Sequence, residues 1–315
     1  MFGQESREAA GRPMLYFLQQ LLNGFHSGAL YALLAFGYVL TNGVLKRTNL
    51  AYGPLFAFAG QVLILIAVFG WNVLWLTLPA TVALGIAVAF LYAALTATVL
   101  ARNVFIPLAM SSPNAIVVAT LGVALVLTEL ARIAAETRDF WLPPMLNHPV
   151  VLFSANGFLA TLTVIQLVNC ALAVAVIALA GLALSRSRLG RSWRAVSDDP
   201  AAAALCGVDV AKVFYGAVIG GALLAALAGS MAALYYGNVS FGSGMVYGLK
   251  VLFVTAAGSY RDPSRAAVGA ACFGIAESLW SGYFPVEWRD AWMFAFLVAL
   301  LILTRTGKEE GRAAI

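Results

Sequence analysis

Charged side chains are scarce in this sequence of 315 residues. Asp, Glu, Lys and Arg make up 10% of the chain, whereas hydrophobic residues make up 62%. Soluble globular proteins carry about 25% charged residues, so a soluble fold of this size could not cover its surface with so few charges. A disordered chain would show the opposite balance, with many charges and few apolar residues. Both classes are therefore excluded.

Long runs of the sequence contain no charge at all. Residues 13–45, 48–101 and 140–185 lack Asp, Glu, Lys and Arg. Because a transmembrane helix needs about 20 apolar residues, the run 48–101 must cross a bilayer twice. We therefore predict an all-α membrane protein, a polytopic helical bundle of about 8–9 spans, some of them broken or re-entrant. The candidate spans are the apolar segments 14–45, 50–70, 74–101, 114–134, 159–184, 213–236, 244–260, 265–284 and 291–304.

Cysteine and histidine are also rare, and the residue sets of an enzyme site are missing. The cysteines, Cys170, Cys206 and Cys272, are widely spaced, which argues against a disulfide framework and a zinc site. His26 and His148 are isolated, and His26 is predicted to be a packing residue. No Gly-x-x-x-x-Gly-Lys-Ser/Thr phosphate loop occurs, so any nucleotide energy must come from another polypeptide. We predict no enzymatic activity and no cofactor.

The densest group of basic residues sets the predicted topology. Arg186, Arg188, Arg191 and Arg194 lie close together with no acidic residue among them. Because Lys and Arg are retained on cytoplasmic loops, this loop is predicted to face the cytoplasm. The other basic clusters then fall on the same side: Lys46 with Arg47, Arg102, Arg261 with Arg265, and the tail from Arg305 to Lys308. The net charge of +5 follows from this topology, and no nucleic-acid partner is predicted.

The segment from Glu136 to Gly157 is predicted to lie outside. It contains Pro143 and Pro144, which prevent a continued helix, and Trp141, an aromatic residue of the kind found at membrane interfaces. Two interpretations remain open, a docking surface for an external partner and a solvated connector.

A weak repeat relates the two halves of the chain. A small-residue stretch, 28–37, precedes the sequence Asn-Leu-Ala-Tyr-Gly at 49–53, and 221–229 precedes Asn-Val-Ser-Phe-Gly at 238–242. In the predicted topology the two helices run in opposite directions, and inverted repeats are typical of transporters with the substrate path between them. The residues predicted to flank that path are Asn49, Tyr52, Gly53, Asn238, Phe241 and Gly242. A chance match between helices rich in Ala, Leu and Gly is the competing interpretation.

The predicted cytoplasmic loop, 185–212, contains a short helix of its own. Asp198 or Asp199 is placed to cap it, with Pro200 at its first position and Gly207 at its end. A capped helix between two spans would fit a groove of a soluble partner and transmit the movement of that partner. A basic loop that only sets the topology, with an incidental helical turn, is the other interpretation.

With these features, the sequence resembles the permease subunits of branched-chain amino acid ABC importers, a family that includes urea and amide importers. Order and spacing persist from about residue 14 to 304. The stretches that carry the resemblance are Leu15–Gln20 with Leu22-Asn23-Gly24 and Tyr31-Ala32-Leu33, Gly43-Val44-Leu45 with Asn49–Gly53, Ser187–Arg191 with Arg194-Ala195, Asp199, Ala203 and Gly207-Val208, and Gly274-Ile275-Ala276-Glu277.

The resemblance implies a function and a set of partners. The chain would be the permease of an ATP-driven importer for branched-chain amino acids or small amides such as urea, in the bacterial inner membrane. It would work by alternating access with ATP-binding subunits, a second related permease subunit in a heterodimer, and a periplasmic substrate-binding protein. Residues 186–208 would be the coupling helix, through Arg188, Gly190, Arg191, Arg194, Ala195, Asp199, Ala203 and Gly207. An ion-coupled secondary transporter without an ATPase is the alternative.

The apolar spans and the basic loop also divide the chain. We expect a polar N-terminal tail at 1–13, one transmembrane permease domain at 14–304 with halves 14–184 and 213–304, and a cytoplasmic tail at 305–315. This sequence departs from the family where Tyr52 and Pro54 replace its usual His and Glu, at 256–263, and at Arg305. Because these replacements lie beside the proposed broken segments, the choice among branched-chain amino acids, other amino acids, urea and amides stays open.

Few charges fall within the predicted spans. Glu277 lies about twelve residues into its span, where an ionised carboxylate costs roughly 2.5–3.5 kcal/mol. It is therefore predicted either to line the translocation path or to make a hydrogen-bonded packing contact. Lys250 is predicted to extend toward the outer surface, and Glu129 with Arg132 is predicted to form an ion pair on one helix face.

Overall fold

The computed structural model describes residues 2–109, 113–155, 158–258 and 262–313, and most of them are helical. The helices are α1 (Phe2–Leu45), α2 (Tyr52–Asn72), α3 (Leu78–Leu100), α4 (Ile106–Ala109), α5 (Pro113–Ala134), α6 (Val164–Arg186), α7 (Arg188–Asp198), α8 (Pro200–Leu205), α9 (Val210–Tyr236), α10 (Ser243–Gly258), α11 (Pro263–Tyr283) and α12 (Arg289–Ala313). A π-helical turn, Ala101–Phe105, joins α3 to α4, and a 3-10 turn, Val286–Trp288, precedes α12.

The all-α polytopic prediction is confirmed in its coarse form. A helix lies over each predicted apolar segment. Among the described residues, six helices are long and apolar enough to cross a membrane by length and composition: Leu15–Leu45, Tyr52–Asn72, Leu78–Leu108, Asn114–Ala134, Val164–Arg186 and Val210–Tyr236. The apolar part of α10, Ser243–Ala256, is shorter. The predicted polar tail continues the helix, because residues 2–13 belong to α1.

A β-hairpin corrects one predicted boundary. Strand β1 (Pro149–Ala155) pairs antiparallel with β2 (Phe158–Thr163), so residues 159–163 are strand and α6 begins only at Val164. The strands are rich in β-branched and aromatic residues, which favour extended backbone. The side chain of Gln19 binds the free edge of β2, because it both accepts from Thr161 N and donates to Thr161 O, each at 2.9 Å.

The core lies between the central helices, and the outer helices expose apolar side chains. In their most apolar windows α1 is 89% buried and α2 is 72% buried, whereas α6 is only 11% buried. The exposed side chains include Leu91, Leu95, Val118 and Leu179. Such a surface is unfavourable in water but suits lipid tails, which are as apolar as leucine.

Glycines permit the closest helix crossings. Gly274 of α11 lies against Gly28 of α1, and Gly229 of α9 lies against Gly60 of α2. At the third crossing Gly53, in the first turn of α2, faces both Gly244 and Gly248 of α10. Small residues at membrane helix interfaces let backbones approach closely and gain van der Waals contact.

Three of the predicted basic clusters, Lys46 with Arg47, the arginines at 186–194, and Arg265, lie together at one end of the bundle, which we call the arginine end. Lys46 Nζ donates to Asp198 O at 2.8 Å, so the loop after α1 lies against α7. Gly181 of α6 lies near Ser264, beside Arg265 at the start of α11. This agrees with the single side that the positive-inside rule assigns to these clusters. Arg261, which was predicted to join them, lies outside the described residues.

Candidate coupling and translocation sites

The predicted capped helix of the arginine end is present as α8. Asp199 Oδ1 accepts from Ala201 N at 2.8 Å and from Ala202 N at 3.2 Å, with Pro200 at the first helical position. Gly207 adopts φ +81°, a left-handed conformation that glycine takes without strain, two residues after the helix ends. Ala203 is buried, whereas Leu205 is 90% exposed.

The coupling segment contains a second helix that the sequence reasoning missed. Residues 186–208 were expected to form one coupling helix, but α7 and α8 are separate and meet at Asp199, whose backbone is extended at φ −144°, ψ 106°. Pro200 explains the break, because proline disfavours helical backbone in the preceding residue. The side chain of Ser187 caps α7 by accepting from Gly190 N at 3.1 Å.

One face of α7 is fixed to the bundle and the other is free. Trp193 is buried and its Nε1 donates to Leu40 O at 3.0 Å, which ties α7 to α1. A methyl group at Gly190 would overlap the backbone of Leu184. Arg194 Nη1 donates to Leu184 O at 3.0 Å, so this arginine also serves within the chain. Ala195 is half-buried, and Arg188 and Arg191 are exposed on the free face.

The start of α9 is capped in the same way as α8. Asp209 accepts from Lys212 N at 3.0 Å and forms an ion pair with Lys212 Nζ at 3.0 Å. The backbone hydrogen bond from Lys212 is the main reason that the pKa of Asp209 lies below its usual value, and the Lys212 side chain adds to it. The loop between α8 and α9 is therefore anchored by local contacts at both of its ends.

The predicted path residues of the first half are buried in the helix packing. Asn49 Oδ1 accepts from Ala51 N at 3.1 Å and Tyr52 Oη donates to Gly221 O at 3.2 Å. Gly53 lies in the crossing of α2 with α10. In this chain, the contacts of these residues hold neighbouring helices together, both near the arginine end and in the interior of the bundle.

The predicted path residues of the second half lie on the loop between α9 and α10. Phe241 packs against the same apolar cluster as Ala51 and Leu55, whereas Asn238 lies elsewhere. Asn238 lines a cavity of about 430 Å³ with Trp141 and Tyr236. Phe241 is half-buried, and Gly242 is exposed with open space around it. The segment predicted to lie outside packs here, since Leu142 N donates to Gly237 O at 2.8 Å.

A polar cavity of about 240 Å³ opens at the end of the bundle opposite the arginine end. It lies between the N-terminal part of α1 and the C-terminal parts of α9 and α11. Its lining is Gln20, Asn23, Ser27, Leu30, Tyr31, Tyr235, Tyr236, Tyr247, Glu277, Ser278, Ser281 and Arg289. We call it the tyrosine cavity.

Four charged side chains from three helices meet at the wall of this cavity. Lys250 Nζ of α10 contacts Glu277 Oε1 of α11 at 2.6 Å and Asp290 Oδ1 of α12 at 2.8 Å. Arg289 Nε lies 3.4 Å from both Glu277 Oε1 and Asp290 Oδ1. The side chain of Lys250 is 3% exposed and that of Glu277 is 10% exposed. Two cations and two carboxylates therefore form a neutral cluster.

This cluster corrects one sequence prediction. Lys250 does not extend to the outer surface but is buried between two carboxylates. Glu277 lies six residues before the end of α11, about 9 Å along the axis. It is ion-paired between helices, as the packing interpretation predicted, and it also lines the cavity, whereas its place on a translocation path stays a prediction.

Sequence reasoning missed Arg289, Asp290 and the four tyrosines of the cavity. A signal was present, because an acid and a base within neighbouring apolar segments are expected to pair. Two smaller predictions are confirmed: Arg132 Nη2 lies 2.7 Å from Glu129 Oε2, and His26 is a buried packing residue with Asn169 Nδ2 at 3.2 Å from its Nε2.

Comparisons with known proteins cover nearly the whole chain. Residues 20–304 match the family model described as branched-chain amino acid transport system / permease component. The high-affinity branched-chain amino acid transport system permease protein LivH of Salmonella typhimurium is 28% identical over 297 residues, 93% of this chain and 95% of the relative. LivH of Escherichia coli K12 is 29% identical over 297 residues, again 93% of this chain and 95% of the relative. BraD of Pseudomonas aeruginosa, a permease protein of the same description, is 26% identical over 94% of this chain and 96% of the relative. No solved structure matches the chain.

Proposed function

Because the chain belongs to the family of branched-chain amino acid transport system permease components, we propose that it is the membrane permease of an ATP-driven importer of branched-chain amino acids. The match over residues 20–304 is the observation that carries this proposal. The family is one of transport subunits rather than enzymes, and the ion-coupled alternative is not favoured. The six long apolar helices support a multi-pass protein, and we place it in the bacterial inner membrane.

The proposed assembly has four kinds of subunit. ATP-binding subunits would dock at the arginine end, a second related permease would complete the pore as a heterodimer, and a periplasmic binding protein would deliver substrate at the tyrosine cavity. The absence of a phosphate loop in the sequence supports a separate ATPase. The exposed Leu189 and Leu205 support docking at the arginine end, because a partner subunit would remove these apolar side chains from water.

Force applied to α7 and α8 would reach the bundle through α1. Trp193 binds Leu40 O and Lys46 binds Asp198 O, so the end of α1 is attached to α7 at two points. Along its length α1 packs against α11 at Gly28 and Gly274, and against α9 at Gly37 and Gly221. A rigid shift of α7 and α8 would therefore move α1 against α9 and α11 of the second half.

The finer features of the transport model are part of this proposal. We place the path between inverted halves, 14–184 and 213–304, of a permease domain with about 8–9 spans. Asn49, Tyr52, Gly53, Asn238, Phe241, Gly242 and Glu277 remain its proposed path residues. Backbone contact between the first turn of α2 and α10 supports the repeat, because it brings the corresponding helix starts of the two halves together.

Charge reversal on the free face of α7 tests the coupling assignment. Arg191 is exposed, and within the described part of the chain its side chain donates to Arg186 O alone, at 3.3 Å, so Arg191→Glu should leave the fold intact. We expect uptake of labelled leucine by cells carrying the importer to fall at least tenfold, with unchanged amounts of the chain in the membrane. Co-purification of the ATPase with the variant should fall in parallel.

The control is Arg265→Glu, the same change at the same end of the bundle but on α11. Arg265 is also exposed, with a contact to Asp262 at 3.3 Å within its own helix start. Normal uptake in Arg191→Glu, or equal losses in both variants, would show that α7 is not the coupling surface. Wild-type chain that purifies without any ATPase would contradict the proposed function itself.

A further inference from the structure

The tyrosine cavity has the charges that an amino acid needs at its backbone groups. We propose that this cavity binds the α-ammonium and α-carboxylate groups of a zwitterionic amino acid, with Glu277 and Arg289 as the respective partners. The inference rests on the proposed function and deepens it, since it places a binding site for the substrate within the permease chain and names the part of the substrate that is recognised.

The contacts within the charged cluster are short around Lys250 and long around Arg289. Lys250 holds Glu277 and Asp290 by contacts of 2.6 and 2.8 Å, within the normal range for charge-assisted hydrogen bonds, and it is not part of the cavity lining. Arg289 is part of the lining, and its contacts to both carboxylates are 3.4 Å long. Arg289 therefore makes the longest contacts in the cluster, and a ligand can reach it from the cavity.

Arg289 has free donor capacity that faces the cavity side of the cluster. A guanidinium group carries five N–H donors in a fork that matches a carboxylate. In the described part of the chain only its Nε has a hydrogen bond, to Asp290, and its terminal nitrogens have none. A carboxylate at these nitrogens would make two parallel hydrogen bonds. The Glu277 carboxylate lies 3.4 Å from Arg289 Nε, so it is within reach of an ammonium group on the same small molecule.

Charge balance selects the class of ligand. Lys250, Arg289, Glu277 and Asp290 sum to zero, and a zwitterion adds no net charge when it inserts between Arg289 and Glu277. A cationic or anionic analogue would leave an uncompensated charge beside buried groups, which is costly in a medium of low dielectric constant. Urea and simple amides carry no charges, so they would hydrogen-bond to Arg289 and Glu277 without the attraction between full opposite charges that a zwitterion gains at both groups.

The rest of the lining is suited to recognition of the common part of an amino acid. The cavity volume of about 240 Å³ lies below the usual range of roughly 300–1,000 Å³ for larger ligands, which favours a single amino acid over a peptide. Gln20, Asn23 and Ser281 add polar groups, and Tyr31 with Tyr247 adds ring faces 5.6 Å apart between centroids. An aliphatic side chain would lie against the rings.

Binding of an amino acid to the full-length chain in lipid nanodiscs tests the proposal. No periplasmic binding protein is present in this assay, so any selectivity comes from the permease chain. The probe is radiolabelled L-leucine, with unlabelled leucine, L-leucinamide, 4-methylpentanoate and urea as competitors. We expect leucine to compete at least tenfold better than the cationic amide, the anionic acid and urea. Arg289→Gln should weaken leucine binding at least tenfold, and Arg289→Lys, which keeps the charge but loses the fork, at least threefold.

The matched control is Arg132→Gln, which removes an arginine from an exposed ion pair at the same end of the bundle, outside the cavity lining. Equal competition by urea or by leucinamide, unchanged binding in both Arg289 variants, or no leucine binding by the wild type would overturn the proposal. If the assembled importer takes up leucine while any of these results is found, the cavity assignment alone fails. If the assembled importer takes up no branched-chain amino acid, the proposed function fails.

Discussion

Gly53→Ala is expected to destabilise the permease chain by about 3 kcal/mol, at the upper end of the usual cost of overpacking. A methyl group at Gly53 would overlap the Gly244 carbonyl oxygen and would lie 2.5 Å from Gly248 Cα. Both obstacles are backbone atoms, so no side chain can rotate away to make room. Relief would require α2 and α10 to separate at the point where the two halves of the chain meet.

Gly122→Ala is the matched control for this prediction. Gly122 lies within α5, is exposed, and has nothing within 4 Å of the added methyl group. Alanine is the better helix former by about 0.5–1 kcal/mol, so this variant should be as stable as the wild type or slightly more stable. Thermal unfolding of the two purified variants in detergent gives the comparison. Equal unfolding midpoints would show that α2 and α10 do not cross as closely as described.

Lys250→Met is expected to cost about 3 kcal/mol or more of the free energy of unfolding, because it leaves Glu277 buried without its shortest contact. Among the described residues, the cation that then remains beside Glu277 is Arg289, at 3.4 Å. Glu277→Gln should be destabilising for the converse reason, although Asp290 still compensates Lys250 at 2.8 Å. Denaturation in mixed detergent, followed by circular dichroism, measures both losses.

The double variant Lys250→Met/Glu277→Gln distinguishes an ion pair from simple packing. It removes one positive and one negative charge together, so Arg289 and Asp290 remain as a balanced pair. Replacement of a buried ion pair by neutral groups of similar size is often nearly neutral in stability. We expect the double variant to lie within about 1 kcal/mol of the wild type. If the loss of stability in the double variant equals the sum of the losses in the two single variants, the two charges are not coupled.

Local signals in the sequence accounted for several parts of the fold. The Asp-Pro pair at 199–200 and Gly207 predicted α8, because capping and helix termination depend on residues a few positions apart. They did not predict α7 as a separate helix, since its attachment through Trp193 requires a carbonyl group of α1 more than a hundred positions away in the chain. The hairpin was missed for a similar reason, because an apolar run of this length suits a strand and a buried helix equally well.

The candidate site was less predictable than the fold. Glu277 was identified because a carboxylate is rare in an apolar span, but the sequence did not show which groups surround it. Lys250, Arg289 and Asp290 come from two other helices, and only the packing of α10, α11 and α12 brings them to it. Of the path residues proposed from the repeat, the two asparagines lie in separate places, with Asn49 buried in the helix packing and Asn238 at a different cavity.

The sequence by itself determined that this is a polytopic helical membrane protein. Hydrocarbon imposes the same two requirements on every span, apolar side chains and a satisfied backbone, and both are visible in a single segment. Which charges meet in the interior was decided only by the tertiary structure. Lys250 and Glu277 each look unfavourable within their own helix, and they form a 2.6 Å contact because α10 and α11 pack side by side.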